Sequence, residues 1–197
     1  MFAKSDPEEF AAGDYNLYRY CHNDPVNRSD PSGLWPTAIH DQIIDKSLKD
    51  KLTDEERQIL KNESKAVDKD QSQEGSYKHG MRSPNQTIDQ ARGAHEKYIS
   101  QNLHDAIRAQ KEGHRTEALR ALGRGIHAIS DATSPAHEGY QVWNGLPGLF
   151  DSGPVAAIKL GLAAAHAASE QAITPAKLDA TAILIQSYYQ SFEAGSK

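Results

Sequence analysis

His127 and Asp131 stand four residues apart in Gly123-Arg-Gly-Ile-His-Ala-Ile-Ser-Asp-Ala-Thr-Ser-Pro-Ala-His137. On a helix this spacing puts an imidazole and a carboxylate on one face, where both can bind one cation. His137 lies beyond the Ser134-Pro135 break, so it can approach from another direction. His166 and Glu170 repeat the four-residue step inside an alanine-rich stretch. A single such pair is commonly a surface ion pair, contributing about 0.2–0.5 kcal/mol on an isolated helix. Two pairs and a detached histidine point instead to a metal centre. Its donors must be imidazole and carboxylate, because the chain has nine His and only one Cys. A disulfide framework and a thiolate zinc finger are excluded on the same count. No Gly-rich phosphate loop of P-loop or dinucleotide type is present, and a metal-activated water would need no nucleophilic Ser or Cys.

The elements that must carry these groups read as helices from Ile39 onward. Asp41–Leu48 places Ile44 and Leu48 on one face, and Thr53-Asp-Glu-Glu56 has the form of a capping box opening a helix to about Val67. Gln71–Pro84 is polar and holds Gly75, Gly80 and Pro84, which predicts a loop. A long helix is expected from about Thr87 to Glu112, ended by Gly113. Another spans about Thr116 to Ala132, with Leu119, Leu122, Ile126 and Ile129 recurring at helical steps. Gly145–Pro154 predicts a second loop, with Leu146, Leu149 and Phe150 at an apolar tip and Trp143 beside it, a surface that could touch lipid or stack a base, although such a loop is more often packed against the body. Helices of about Val155–Ala172 and Pro175–Glu193 follow, the latter with Pro inside its first turn. Residues 1 to about 34 differ: Tyr15, Tyr18 and Tyr20 precede Asn23-Asp-Pro25 and Asp30-Pro-Ser-Gly33, a short strand and turns. The expected fold is an all-α multi-helix bundle preceded by a short β/turn segment.

At 197 residues the chain is long enough for one core and a short appendage. No run approaches a membrane span, and the first residues lack the apolar stretch of a signal peptide, so neither a transmembrane segment nor an export signal is expected. The formal net charge of −5 argues against a surface that tracks phosphates of a polyanion. Leaving out residues 1–34, with Asp6, Glu8, Glu9, Asp14, Asp24 and Asp30 against Lys4, Arg19 and Arg28, the remainder is still mildly acidic.

Asn16-Leu-Tyr-Arg-Tyr20, Asn23-Asp-Pro-Val-Asn27 and Asp30-Pro-Ser-Gly-Leu34 resemble the end of the core of RHS-repeat polymorphic toxins. The resemblance implies a chain divided into an RHS shell remnant, 1–34, and a toxin domain, 35–197. It also implies self-cleavage that depends on Asp30 and falls between Leu34 and Trp35. The released domain would be delivered into another cell, and its partners would be the RHS shell and a cognate immunity protein. Cys21 and His22 would stay with the shell, leaving the toxin without cysteine.

The His and carboxylate order resembles that of the zinc-dependent phospholipases C and single-strand-specific nucleases, a superfamily of all-α enzymes with three zinc ions. There a mature amino-terminal Trp binds zinc through its amine and carbonyl, and in the nuclease branch a His follows five positions on. Trp35 and His40 have that spacing, and the cleavage implied above would make Trp35 an amino terminus. The resemblance further implies Asp68 and His79 as ligands, with Asp70 an alternative to Asp68. His127, Asp131 and His137 would follow, then His166 and Glu170. His127, Asp131, Asp68 and His79 would hold one zinc, Asp131 would bridge to another held by Trp35 and His40, and His137, His166 and Glu170 would hold the third. Asp68 is the expected base that orients or deprotonates the attacking water.

His95, His104 and His114 take no ligand role in that order; His95 could support the ligands from behind, or be packing or surface. The function expected is a delivered toxin that hydrolyses phosphodiesters with up to three zinc ions, phospholipase C-like. Single-strand nuclease activity is the alternative, so the substrate is a phospholipid or a nucleic acid. A non-catalytic, metal-stabilised binding module is the competing class.

Overall fold

The computed structural model describes residues 37–146, 152–170 and 173–197. The shell-like segment, with the expected cleavage residues Asp30, Leu34 and Trp35, lies outside them, as do Leu149 and Phe150. Six helices make up the described part: α1 (Thr37–Leu48), α2 (Asp54–Val67), α3 (Ile88–Lys111), α4 (Arg115–Ala132), α5 (Gly153–Glu170) and α6 (Pro175–Gly195). Among the described residues there is no β-sheet, only an isolated bridge between Arg82 and Val142. None of the described helices is long and apolar enough to cross a membrane.

The helix starts follow from local chemistry. Thr53 accepts from the Glu56 amide while the Glu56 carboxylate accepts from the Thr53 amide, closing the capping box expected for α2. Thr87 and Gln90 close a second one for α3, and Thr174 caps α6 ahead of Pro175. Between α3 and α4 the chain reverses at Gly113, whose φ of 81° few other residues adopt.

Helix α4 is the centre of the bundle, packed against α1, α2, α3 and α6. Its Leu119, Leu122 and Ile126 join Ile43, Ile44 and Leu48 of α1, Leu60 of α2 and Ile185, Tyr188 and Phe192 of α6 in one apolar core. Burying such side chains contributes about 1.5–3 kcal/mol each. Two glycines let the neighbours come close. A Cβ on Gly123 would lie 2.9 Å from the Leu60 carbonyl oxygen of α2, and one on Gly125 would collide with the Tyr188 hydroxyl of α6. A mid-helix glycine costs about 1 kcal/mol relative to alanine, a loss that these two close packings offset.

Two expectations need correction. Residues 71–84 are not all loop: Ser76–His79 form a turn of 3₁₀ helix, which Gly80 ends at φ 65°. Trp143 is not part of an exposed tip. It is 6% exposed, and its indole N–H donates to the Gln71 carbonyl, because that amphipathic ring finds both an apolar seat and a polar partner inside. Leu146, beside it, is half-buried.

Candidate metal centre

Four elements deliver polar side chains to one buried point. The first turn of α1 brings His40. The end of α2 brings Ser64 and, at its C-cap, Asp68. The 3₁₀ turn brings His79, and α4 brings His127 and Asp131 on successive turns of one face. His40, His79, His127 and Asp131 are all buried, whereas the Asp68 side chain keeps 16% of its surface exposed and marks the open side.

Asp131 is the hub. Its Oδ1 lies 3.1 Å from His40 Nε2, and its Oδ2 lies 2.9 Å from His79 Nδ1 and 3.0 Å from His127 Nε2. His127 Nε2 is also 3.5 Å from Asp68 Oδ1 and 3.0 Å from His79 Nδ1. The His40 and His127 rings are tilted at 4.7 Å between centroids, and the His79 ring meets His127 edge-on at 5.0 Å.

Carbonyl groups decide which ring atoms carry protons. His79 Nε2 is 3.1 Å from the Asp70 carbonyl oxygen, which can only accept, so Nε2 carries a hydrogen; Nδ1, 2.9 Å from Asp131 Oδ2, then either holds a proton that Asp131 accepts or offers a lone pair to a cation. His127 Nδ1 lies 3.1 Å from the Ser64 hydroxyl; with Nδ1–H donating there, its Nε2 also presents a lone pair. His79 Nδ1, His127 Nε2 and Asp131 Oδ2 therefore meet at 2.9–3.0 Å, and with both rings neutral in these tautomers they present three lone pairs to one point. Two further carboxylate atoms, Asp68 Oδ1 and Asp131 Oδ1, are buried and face imidazole nitrogens, of His127 at 3.5 Å and of His40 at 3.1 Å. Such a cluster must be held together by positive charge, either added protons or a cation.

The electrostatics express the same demand. Burial alone would raise the Asp131 carboxyl, but His127, His40 and His79 hold it well below the ordinary aspartate range. Burial lifts Asp68 above that range, against the pull of His127 and His40. Burial opposes charge on His40 and His79, yet hydrogen bonding to Asp131 raises both imidazoles; on His127 burial wins and lowers it.

The grouping could hold a metal ion. Donor atoms of His40, Asp68, His127 and Asp131 all lie within 4.8 Å of one another. With zinc to nitrogen or oxygen distances of about 2.0–2.2 Å, neighbouring donors stand about 3.3–3.6 Å apart in a tetrahedron and about 2.8–3.1 Å in an octahedron. Spacings of 3.0 Å from His127 Nε2 to Asp131 Oδ2, 3.1 Å from His40 Nε2 to Asp131 Oδ1 and 3.5 Å from His127 Nε2 to Asp68 Oδ1 fall within these ranges, and the two shorter ones are hydrogen-bond distances as well. The hydrogen bonds to Ser64 and the Asp70 carbonyl are of the kind that orient metal-ligating imidazoles.

Five of the nine expected ligands are thus brought together: His40, Asp68, His79, His127 and Asp131. Of Asp68 and Asp70, it is the Asp68 side chain that the structure groups with the other donors. Asp70 accepts from the Ser72 hydroxyl at 2.5 Å and from Lys78 Nζ at 2.5 Å, which drives its carboxyl down to about 2, and only its backbone carbonyl serves the centre. His137 is buried in the turn after α4 but is not among the four donors grouped above. Trp35 lies outside the described residues, and so do the side chains of His166 and Glu170, although both positions fall on α5. His104 and His114 are exposed, whereas His95 is buried with Nδ1 2.7 Å from the Tyr77 carbonyl. Ser64 was not singled out by spacing. Its one signal is a polar residue in the buried stripe Leu60, Ser64, Val67 of α2.

Compared with protein-family models, with curated proteins and with solved structures, the chain has no significant match.

Proposed function

We propose that residues 35–197 are a delivered toxin that hydrolyses phosphodiesters with zinc in the manner of a phospholipase C. The observation that supports this most directly is the buried meeting of imidazole nitrogens and carboxylate oxygens around Asp131, a group that could hold a metal ion and that includes five residues of the ligand order described above. His40, Asp68, His79, His127 and Asp131 would hold the metal. Zinc there would supply Lewis acidity toward a phosphoryl oxygen and make a nearby water more acidic.

The chain's own groups divide the remaining work. Asp131 offers one oxygen to the His40 side and the other to the His79 and His127 side, so it can serve two ion positions at once. Asp68, the most exposed member, is the group a substrate meets first; its raised carboxyl pKa suits a base that orients the attacking water and takes its proton. Ser64 and the Asp70 carbonyl keep His127 and His79 in the tautomers that bind. Cleavage before Trp35 would add a free amine to the donors.

The reading is tested by zinc analysis of the purified chain together with two assays, diacylglycerol release from phosphatidylcholine vesicles and nucleotide release from single-stranded DNA or RNA. The expected result is at least one zinc per chain and diacylglycerol release that is abolished in His127→Ala and Asp131→Asn. Nucleotide release with the same sensitivity would transfer the site to the nuclease reading. Bound zinc with no activity on either substrate would make the domain a metal-stabilised module, and absence of zinc would overturn the proposal.

A further inference from the structure

We propose that His95, which the ligand order leaves out, is a positioning residue that sets His79 in the centre and ties it to the turn bearing His137. The inference rests on reading the Asp131 cluster as a metal centre. His95 stands on α3 and is 3% exposed. Its Nδ1–H donates to the Tyr77 carbonyl at 2.7 Å, within the 3₁₀ turn that presents His79 two residues later. A turn of four residues has little internal hydrogen bonding to hold its angle, so an external donor of this kind fixes where the His79 ring points. The Asp70 carbonyl, Asp131 and His127, by contrast, touch only the His79 ring itself.

The His95 ring also packs edge-on against Tyr140, with ring centroids 5.8 Å apart. Tyr140 is the one described non-glycine residue with positive φ, 56°, a conformation that persists where neighbours over-determine it. Arg92, one turn before His95 on α3, stacks over the Tyr140 ring at 5.9 Å, and the Tyr140 amide donates to the His137 carbonyl at 2.9 Å. Arg82 joins the two segments, donating from its amide to Gln141 and from Nε to the Tyr140 carbonyl. His95 is therefore the wedge between two loops, one carrying His79 and the other following His137.

The test compares His95→Asn, His95→Gln and His95→Ala in the full chain. Zinc affinity is measured by chelator competition, and coordination is followed by the visible absorption of bound Co²⁺. The Asn amide can place its N–H where His95 Nδ1 lies, whereas the Gln amide sits one carbon too far. The expected result is affinity and spectrum close to the unsubstituted chain for Asn. Gln and Ala should bind about 10–100-fold more weakly, with a shifted Co²⁺ band. Gln binding like the unsubstituted chain, or equal unfolding of all three variants, would make His95 a packing residue and overturn the inference. An unsubstituted chain that binds neither metal would overturn the metal reading beneath it.

Discussion

Two sets of ionised groups meet α2, and their charges are settled differently. Along its outer side Asp45 accepts from Arg57 at 2.9 Å and Lys61 at 2.7 Å, Glu56 accepts from Arg115 at 2.8 Å, and Glu63 accepts from Arg124 at 2.9 Å. These carboxylates are partly exposed and each meets a permanent cation. At the inner end of the same helix, Asp68 and the fully enclosed Asp131 meet imidazoles, which are neutral or charged according to circumstance. The first set is neutralised within the chain and belongs to the surface. The second takes its positive charge from protons on the imidazoles or from a bound cation, and on the reading proposed above that difference separates a stabilising network from a site.

On the proposed metal reading, removing the cation should break the comparison most sharply. With zinc at about a thousand times its dissociation constant, the folded state gains about 4 kcal/mol. A chelator should therefore lower the unfolding free energy of the chain by that amount and leave Asp131→Asn unmoved; equal stability with and without chelator would place both sets in one class. Ser64→Ala should have a smaller effect. The His127 ring loses its partner, and zinc binding measured by competition should weaken about 10–100-fold while the outer ion pairs are untouched. Asp45→Asn should matter least, costing at most about 1 kcal/mol at neutral pH and less in high salt. Burial opposes ionisation of Asp45, but hydrogen bonds from Lys61 and Arg57 prevail and lower its carboxyl below the ordinary 3.8. Its contribution is thus present above that value and lost as pH falls through the lower folded one. Denaturation curves of the two chains should converge in acid; a gap that widened there would reverse the sign.

What could be foreseen from sequence follows the range of the interactions. The helices were legible because capping and apolar periodicity act over a few residues, as in Thr53–Glu56 and in Leu119, Leu122 and Ile126. The spacing of His127 and Asp131 was legible for the same reason. Asp68 and Asp70 could not be told apart, because the decision belongs to Lys78 and Ser72 and to the direction the chain takes after α2. Ser64 acts on a residue 63 positions away and His95 on one 18 positions away, contacts that no local pattern encodes. Trp143 misled for the converse reason: its apolar neighbours in sequence suggested an exposed tip, while its partner, Gln71, lies 72 positions back.

The glycine at 123 has a consequence for tolerance. Leu60 abuts Gly123 and Ser64 meets His127, so α2 and α4 run in the same direction with their turns in step. One further turn along each helix come Asp68 and Asp131. The two helices behave as paired rulers whose zero mark is a missing carbon. A methyl group at residue 123 would touch neither Asp68 nor Asp131, yet it would push the rulers apart at their shared origin. The gap at the far graduations, where donors must agree to within tenths of an ångström, is therefore gauged at a position with no chemistry of its own.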